Sequence, residues 1–465
     1  MCNYDVIVIG AGPGGYVAAI RASQLGLKTA VIEKEFMGGV CLNIGCVPSK
    51  SLLKNAEVAH TLRERGREFG FSFENLKLDY GAAVKRSRRV SKRLTKGVEF
   101  LMKKNEIDVH AGYGKFISND TVLVTAKDGS PKKLSAKNII IATGATPFII
   151  SGVEIDGDKV VTYREAILQE TLPQSALIIG GGAIGLEFAT IWNSYGVPVT
   201  IVEMLDHLAP NEDEEISIEL EKAFKKRGIK VMTSSRVTAV QKDGDMVKVT
   251  VESGEEDETI ETSQVLLAAS FAPNSKALGL EEVGVEVDRS GFIQINSQMQ
   301  TNVDEIYAIG DVTGKLMLAH VGMAMGIFAA EKIAGQEPAK LNYQNMPKAT
   351  YCQPQVASFG MTEKQAVEAG HGVKVGRFNF QANGKALGLG DYIGFVKLLS
   401  DSKSGEILGA HLIGPEVTEL LPELTLAQMN ELTLAEITKN VHAHPTLSEA
   451  LLEAAENAEG HGIHS

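Results

Sequence analysis

The distribution of apolar and polar positions repeats itself along the chain. A nearly unbroken apolar run, Tyr4 to Gly10, is followed by Gly10-Ala-Gly12-Pro-Gly-Gly15, a helix-forming stretch to Leu25 and a stop at Gly26. A short apolar run that ends in glycine predicts a buried strand, and the stretch behind it predicts a helix opened by the Gly-rich turn. Thr29 to Glu33 then predicts a second strand. The same arrangement returns at Ala176 to Gly180, Gly180-Gly-Gly182-Ala-Ile-Gly185, a helix to Tyr195 with a stop at Gly196, and a strand Val199 to Glu203. Glu33 stands as far beyond Gly10 as Glu203 stands beyond Gly180.

Between the copies, Ala83 to Lys103 predicts a basic helix with Val90, Leu94, Val98 and Leu101 on one face. Its Lys and Arg residues are read as a solvated face in preference to a nucleic-acid patch. A second charged helix is expected from Asn211, with Glu214 completing a capping box, to Gly228; Lys225, Lys226 and Arg227 at its end suit the helix dipole. Short strands lead to Ile306-Tyr-Ala-Ile-Gly310-Asp311 and a helix to about Gly335. From Met346 strands are expected at Ala349 to Gly360, Val373 to Phe380, Phe395 to Ser400 and Glu406 to Ile413, mixed with helices, with no nucleotide fingerprint. The chain therefore reads as α/β, with two Rossmann-like dinucleotide-binding domains and a C-terminal α+β domain, divided as 1–147, 148–273, 274–346 and 347–465.

A length of 465 residues with 44% hydrophobic content exceeds what one core serves. The net charge of -12 argues against nucleic acid or an anionic membrane as the main partner. Apolar stretches fall short of the ~18 residues a membrane span needs, and the amino end runs straight into a strand with no secretory pattern. Four cysteines in so long a chain point to a reducing compartment, so any disulfide is expected to be chemical rather than structural. The expected location is cytoplasmic and bacterial-type, with a mitochondrial matrix or plastid origin left open.

In each copy the glycines Gly10, Gly12, Gly15 and Gly180, Gly182, Gly185 permit a tight turn whose N–H groups meet a pyrophosphate at a helix N-terminus. Two dinucleotides are therefore expected. Glu33 and Glu203 are placed to accept from a ribose hydroxyl. A 2'-phosphate beside Glu203 would cost about 4 kcal/mol per unit charge at ~4 Å and an effective dielectric near ~20, which favours NAD over NADP.

The most specific run is Gly38-Gly-Val-Cys41-Leu-Asn-Ile-Gly45-Cys46-Val-Pro48-Ser-Lys50, a C-x4-C pattern. On a regular helix, positions five apart lie roughly 8–9 Å from each other, beyond disulfide reach. A disulfide here needs a distorted helix, for which Gly45 and Pro48 are the weak points. Two buried thiols or half a zinc site are the alternatives, although nothing nearby completes a zinc tetrahedron and no metal is expected. Near the end, His442-Ala-His444-Pro445-Thr-Leu-Ser-Glu449 offers a base of near-neutral pKa with a carboxylate to orient it. Thr446 and Glu449 equally fit a capping box for a helix Ser448 to Ala458.

Taken together, these motifs resemble the pyridine nucleotide-disulfide oxidoreductases, most closely the dihydrolipoamide dehydrogenase branch. The match runs through Gly10 to Gly15, the C-x4-C run to Lys50, Ala142-Thr143-Gly144, the second glycine motif, Thr301 to Asp311, and His442 to Glu449. The resemblance implies an FAD domain, an NAD domain, a central segment completing the flavin site, and an interface domain that makes a homodimer. It places Glu33, Lys34, Gly39, Lys50, Gly114, Thr143, Gly144, Asp311 and Ala319 at FAD, and Glu203, Val237 and Ser270 at NAD. Lys50 and Glu187 match a pair beside the flavin ring. It further implies that Cys41 and Cys46 form the redox disulfide, and that His444, from the partner subunit and held by Glu449, takes a proton from dihydrolipoamide. The substrate thiol then attacks Cys41, Cys46 is left as a thiolate toward the flavin, and electrons pass through FAD to NAD. Implied partners are lipoyl-bearing E2 or H-protein components of 2-oxo acid dehydrogenase or glycine cleavage complexes. A glutathione-reductase-like enzyme and a non-catalytic binding scaffold are the competing readings. Ser270, the stretch His320 to Met325 and Gly462 depart from the commonest family pattern.

Overall fold

A computed structural model describes residues 2–254 and 256–464, and these divide into two compact units. The first comprises the residues up to Ser51 together with Gly81–Phe148 and Ser270–Tyr343; the second comprises Leu52–Tyr80, Ile149–Ala269 and the residues from Gln344 onward.

In the first unit the strands lie in the order Asp108–Ala111, Thr29–Glu33, Tyr4–Ile9, Pro131–Ile141, Thr121–Thr125, Tyr113–Ser118, with Ile306–Ala308 also paired to Pro131–Ile141. The strand Pro131–Ile141 serves two environments. Its first half, which includes exposed Lys132 and Lys133, pairs antiparallel with Thr121–Thr125. Its second half, ending in fully buried Ile139, Ile140 and Ile141, pairs parallel with Tyr4–Ile9. Continuous apolar sequence marks the part covered on both faces. Helices Pro13–Gln24 and Ala319–Ile333 approach backbone to backbone, since a Cβ on Gly326 would lie 2.5 Å from the Gly14 carbonyl oxygen. Arg21 and Glu331 close the contact at 2.6 Å.

The second unit contains a parallel sheet in the order Lys230–Met232, Val199–Val202, Ala176–Ile179, Gln264–Leu267, Val160–Thr162. An antiparallel triplet, Ser235–Asp243, Met246–Ser253 and Glu256–Thr262, packs its valines on that sheet's core. Beyond residue 344 an antiparallel sheet runs Lys348–Thr350, Gln355–Gly360, Ile407–Gly414, Phe395–Asp401, Val373–Asn379, covered by Leu421–Met429, Leu434–Lys439 and Glu449–Ala458. The expected α/β class with a C-terminal α+β region is what the chain forms. Among the described residues, no helix is long and apolar enough to cross a membrane.

Several local expectations are corrected. The charged helix is Glu214–Lys226, and its cap is Asp213, which accepts from the Glu215 N–H; Asn211 and Glu214 form no box there. The cap is set at long range: Asp213 is buried with Lys397, whose ammonium meets Asp213, Glu215 and Glu363 at 2.9, 2.7 and 2.7 Å. Such a buried cation tolerates removal from water only when ringed by acids. The basic helix is Tyr80–Lys104, and it buries Val84, Ser87, Ser91, Val98 and Met102, while Leu94 is exposed. The single strand expected over 349–360 is two strands, split around the cis Gln353-Pro354 bond.

Candidate active site

The two glycine turns are built alike, atom for atom. Gly10 and Gly180 have φ of 106° and 114°, and a Cβ on either would lie 2.3 or 2.6 Å from the carbonyl oxygen of Ala142 or Ala268. A Cβ on Gly15 or Gly185 would lie 1.9 or 2.0 Å from the oxygen of Gly10 or Gly180. By contrast, Gly12 and Gly182, each the N-cap of its helix with no side-chain cap, face open space. Unfilled helix N-termini with room in front are the geometry a pyrophosphate requires.

The acids act first on the turns themselves. Glu33 accepts from the Ala11 N–H (2.7 Å) and the Glu35 N–H (2.7 Å), and Glu203 accepts from the Gly181 N–H (2.6 Å) and the Leu205 N–H (2.8 Å). Glu33 Oε1 accepts a second bond, from the Phe36 N–H at 3.1 Å, but Glu33 Oε2 and both Glu203 oxygens keep a lone pair, so accepting from a ribose hydroxyl remains open to both acids.

The first turn leads directly into the dithiol. The Gly38 N–H donates to the Ala11 oxygen at 2.9 Å, and Gly39 lies so close that a Cβ would be 2.5 Å from Gly12 Cα. Helix Gly39–Ile44 then ends at Gly45, with φ -134° and ψ -118°, and a new helix, Cys46–Glu64, begins. The expected distortion therefore falls at Gly45. Pro48 takes no part in it, since it sits in the first turn of the second helix, where a missing N–H costs nothing. The break brings the sulfurs within hydrogen-bond reach as thiols, with Cys41 partly buried and Cys46 exposed. The hydrogen bond to Cys46, with burial as the next cause, pushes the Cys41 thiol up, while Lys50 pulls it the other way.

Sequence reasoning missed the residue that fixes this loop. Asn43, between the cysteines and buried, donates to the oxygens of Met37 (3.0 Å) and Gly39 (2.9 Å) and accepts from the Thr95 hydroxyl (3.2 Å). Its backbone oxygen accepts from Arg88. Thr95 and Arg88 come from the basic helix, so no local pattern announces them; an amide enclosed by a C-x4-C run was the available signal.

The remaining candidates occupy varied settings. The Thr143 hydroxyl donates to the Asn274 oxygen at 2.8 Å and Asn274 returns a bond to the Thr143 oxygen at 2.9 Å, which leaves backbone rather than hydroxyl at the Ala142-Thr143-Gly144 turn. Gly114 is buried, its Cα facing Ile9, Ile32 and Val122. Lys34 lies over the Tyr113 ring, and Ala319 opens its helix. Among the described residues no donor meets the Asp311 carboxyl, and burial pushes it up to about 6. A half-buried carboxyl that meets no protein donor suits a ligand hydroxyl. In the second unit Glu187 is buried and accepts from the Tyr351 N–H at 3.2 Å, and Val237 lies on the strand Ser235–Asp243. Ser270 is exposed and its oxygen accepts from the Phe148 N–H.

At the C-terminal site, Glu449 contacts both of the groups considered for it. Oε1 lies 2.7 Å from His444 Nδ1 and Oε2 accepts from the Thr446 N–H at 2.7 Å. The box is only half made, since no backbone N–H of the helix donates to the Thr446 hydroxyl, which itself donates to the Ala443 oxygen. Burial raises Glu449, but the Thr446 N–H and His444 outweigh it and hold the carboxyl below its usual value. The His444-Pro445 bond is cis and His444 is exposed.

Two nucleotide cradles, one continuous with a vicinal dithiol, define a flavoprotein-type disulfide oxidoreductase. Residues 4–326 match the family described as Pyridine nucleotide-disulphide oxidoreductase, and residues 346–455 match its dimerisation domain. The chain belongs to this family. It is 52% identical to a dihydrolipoyl dehydrogenase of Mycobacterium leprae over the whole of both chains, and 49% identical to one of Corynebacterium glutamicum over 99% of each. Its fold is similar to that of LpdA from Mycobacterium tuberculosis, with TM-score 0.90 and 28% identity over 97% of this chain and 99% of that one.

Proposed function

We propose that the protein is a dihydrolipoyl dehydrogenase: it oxidises dihydrolipoamide to lipoamide and reduces NAD+ to NADH with release of one proton. The observation that carries this reading is the continuity of the Cys41/Cys46 pair with the first glycine turn through Gly38 and Gly39. A thiol pair set there delivers electrons to whatever the turn holds. Full-length relatives at about half identity carry the same name.

The first cradle, Asp311, Lys50 and the Ala142-Thr143-Gly144 turn would hold FAD, which when bound accepts the electron pair from the dithiol and passes it to NAD+. The second cradle, with Glu203, Val237 and Ser270, would hold NAD, and Glu187 with Lys50 would flank the reacting ring. His444 Nδ1 is taken up by Glu449, so Nε2 is the atom left to accept a substrate proton. The substrate thiolate attacks Cys41 of the oxidised pair, the Cys41–Cys46 bond breaks, and Cys46 leaves as thiolate. The second substrate thiol displaces Cys41, which is protonated, and lipoamide departs. In this reading the division 1–147, 148–273, 274–346 and 347–465 separates FAD, NAD, central and interface regions, the enzyme is a homodimer with His444 supplied by the partner copy, and lipoyl-bearing E2 or H-protein components deliver the substrate.

The test is steady-state reduction of NAD+ by free dihydrolipoamide, with NADP+ as comparison. Substantial rates with NAD+ alone are expected, and equal rates with NADP+ would remove the role given to Glu203. His444→Gln should lose most dithiol oxidation while NADH-driven dye reduction persists; equal loss of both would make His444 structural.

A further inference from the structure

Helix Tyr80–Lys104 carries nine Lys and Arg residues and one acid in a chain of net charge -12. At 3.6 residues per turn, Lys85, Arg89, Lys92, Lys96 and Lys103 fall on one stripe, about a third of a turn from the buried row of Val84, Ser91, Val98 and Met102. All five are exposed, and Phe100, 64% exposed, flanks them. Some exposed lysines elsewhere, such as Lys54, Lys137, Lys230 and Lys248, meet a carboxylate, and others, such as Lys127, Lys276 and Lys385, stand singly. Among the described residues, no carboxylate pairs with Arg89, Lys92, Arg93 or Lys96. Like charges at i,i+4, as in 85/89, 89/93 and 92/96, oppose the helix that bears them. Solvation alone gives no return for that arrangement. The same helix also holds the redox loop, through Arg88 and Thr95 on Asn43.

We propose that this stripe is the docking surface for an acidic protein segment carrying the dihydrolipoyl group. The proposal rests on the reading of the protein as a dihydrolipoyl dehydrogenase and names the charge of its partner. An acidic segment is repelled by the rest of so acidic a chain and attracted here, beside the element that frames Cys41. Nucleic acid would meet the same long-range repulsion without gaining a path to the dithiol.

Three peptides with a central lipoyl-lysine, flanked by glutamates, by Ser/Gly, or by lysines, test this with the flavin-loaded full chain. Anisotropy of the oxidised peptides should show the Glu-flanked one binding roughly tenfold more tightly than the Ser/Gly one at low ionic strength. The advantage should vanish at about 0.5 M salt, where the screening length falls below ~5 Å. Reduced forms should show the same order in kcat/KM. The quadruple variant Arg89→Glu, Lys92→Glu, Arg93→Glu, Lys96→Glu should reverse the preference and leave kcat/KM for free dihydrolipoamide unchanged; the same four positions changed to Gln should abolish it. Equal binding of all three peptides, or a preference that survives these substitutions, would overturn the proposal. A duplex oligonucleotide bound more tightly than the Glu-flanked peptide, with binding lost in the variants, would also overturn it in favour of nucleic acid. If free dihydrolipoamide is not oxidised, the enzymatic reading fails, while peptide anisotropy still decides the stripe.

Discussion

The two glycine turns share a cradle and differ in the segment each one leads into. In both, a strand-end acid pins the second residue of the turn, Ala11 or Gly181, and a later residue returns to that residue's oxygen: Gly38 to Ala11 and Ala209 to Gly181, each at 2.9 Å. After Gly38 the first copy enters the dithiol helices. After Ala209 the second copy enters the Asp213-capped helix, moored by Lys397. One local design therefore feeds a reactive segment in one place and a structural anchor in the other. Binding and chemistry are separable parts of this chain, and the comparison can be broken at either.

The largest effect is expected where the first copy departs from the second. Cys41→Ser or Cys46→Ser should lower dithiol oxidation by roughly 10³-fold or more, since the two sulfurs act as one unit. Flavin content should hold; if it falls in parallel, the dithiol segment is part of the cradle and the separation fails. Next come the shared glycines. A Cβ at Gly15 or Gly185 must displace a backbone oxygen 1.9 or 2.0 Å away. Overpacking of this sort costs about 1–3 kcal/mol. Gly15→Ala should purify with less flavin, whereas Gly185→Ala should keep its flavin and show a raised KM for NADH. Loss of both cofactors in either variant would mean that the two cradles are not independent.

These cradles were legible in the sequence because sterics leave only glycine at Gly10, Gly15, Gly180 and Gly185, so the pattern and the geometry are one statement. The break at Gly45 was legible for the same reason: two cysteines five apart need a fault between them, and a glycine was there. The features that escaped the sequence depend on distant partners. The cap at Asp213 in place of Asn211 is set by Lys397, far along the chain. The clamp on Asn43 is set by Arg88 and Thr95 on another helix. The split of the strand over 349–360 was readable, since Pro354 cannot donate to a ladder, and its weight was underestimated.

A smaller effect, on stability, tests whether the first cradle is shaped for a ligand. Burial holds the Asp311 carboxyl at about 6, above its usual 3.8. A raised carboxylate is protonated in the folded chain when it is already ionised in the unfolded one, so folding is penalised as pH rises from about 4 to about 6. Fully developed, the penalty reaches about 3 kcal/mol. Flavin-free protein should therefore lose Tm over that window, and Asp311→Asn should lose less. If both lose Tm equally, other groups set the slope and the Asp311 carboxyl is not the unsatisfied acceptor described.

The smallest effect sharpens the contrast at its origin, the clamp that the second turn lacks. Arg88 donates to the Asn43 oxygen and is partly desolvated, which lowers its own pKa; the bond is therefore made with a cation already drawn out of water. Arg88→Met keeps an unbranched apolar stem and removes the donor, so the Asn43 oxygen loses the guanidinium at a buried position. The immediate cost is about 1–3 kcal/mol in stability. Because Asn43 still holds Met37 and Gly39, the turn itself should survive and flavin content should not change. The freed loop changes only how the two sulfurs are presented, so kcat for dihydrolipoamide should fall by a few-fold, about what a sub-ångström misplacement of reacting atoms costs. KM for NADH, set by the second copy, should be untouched. A change in KM for NADH with an intact kcat would show that the clamp reports to the second cradle after all.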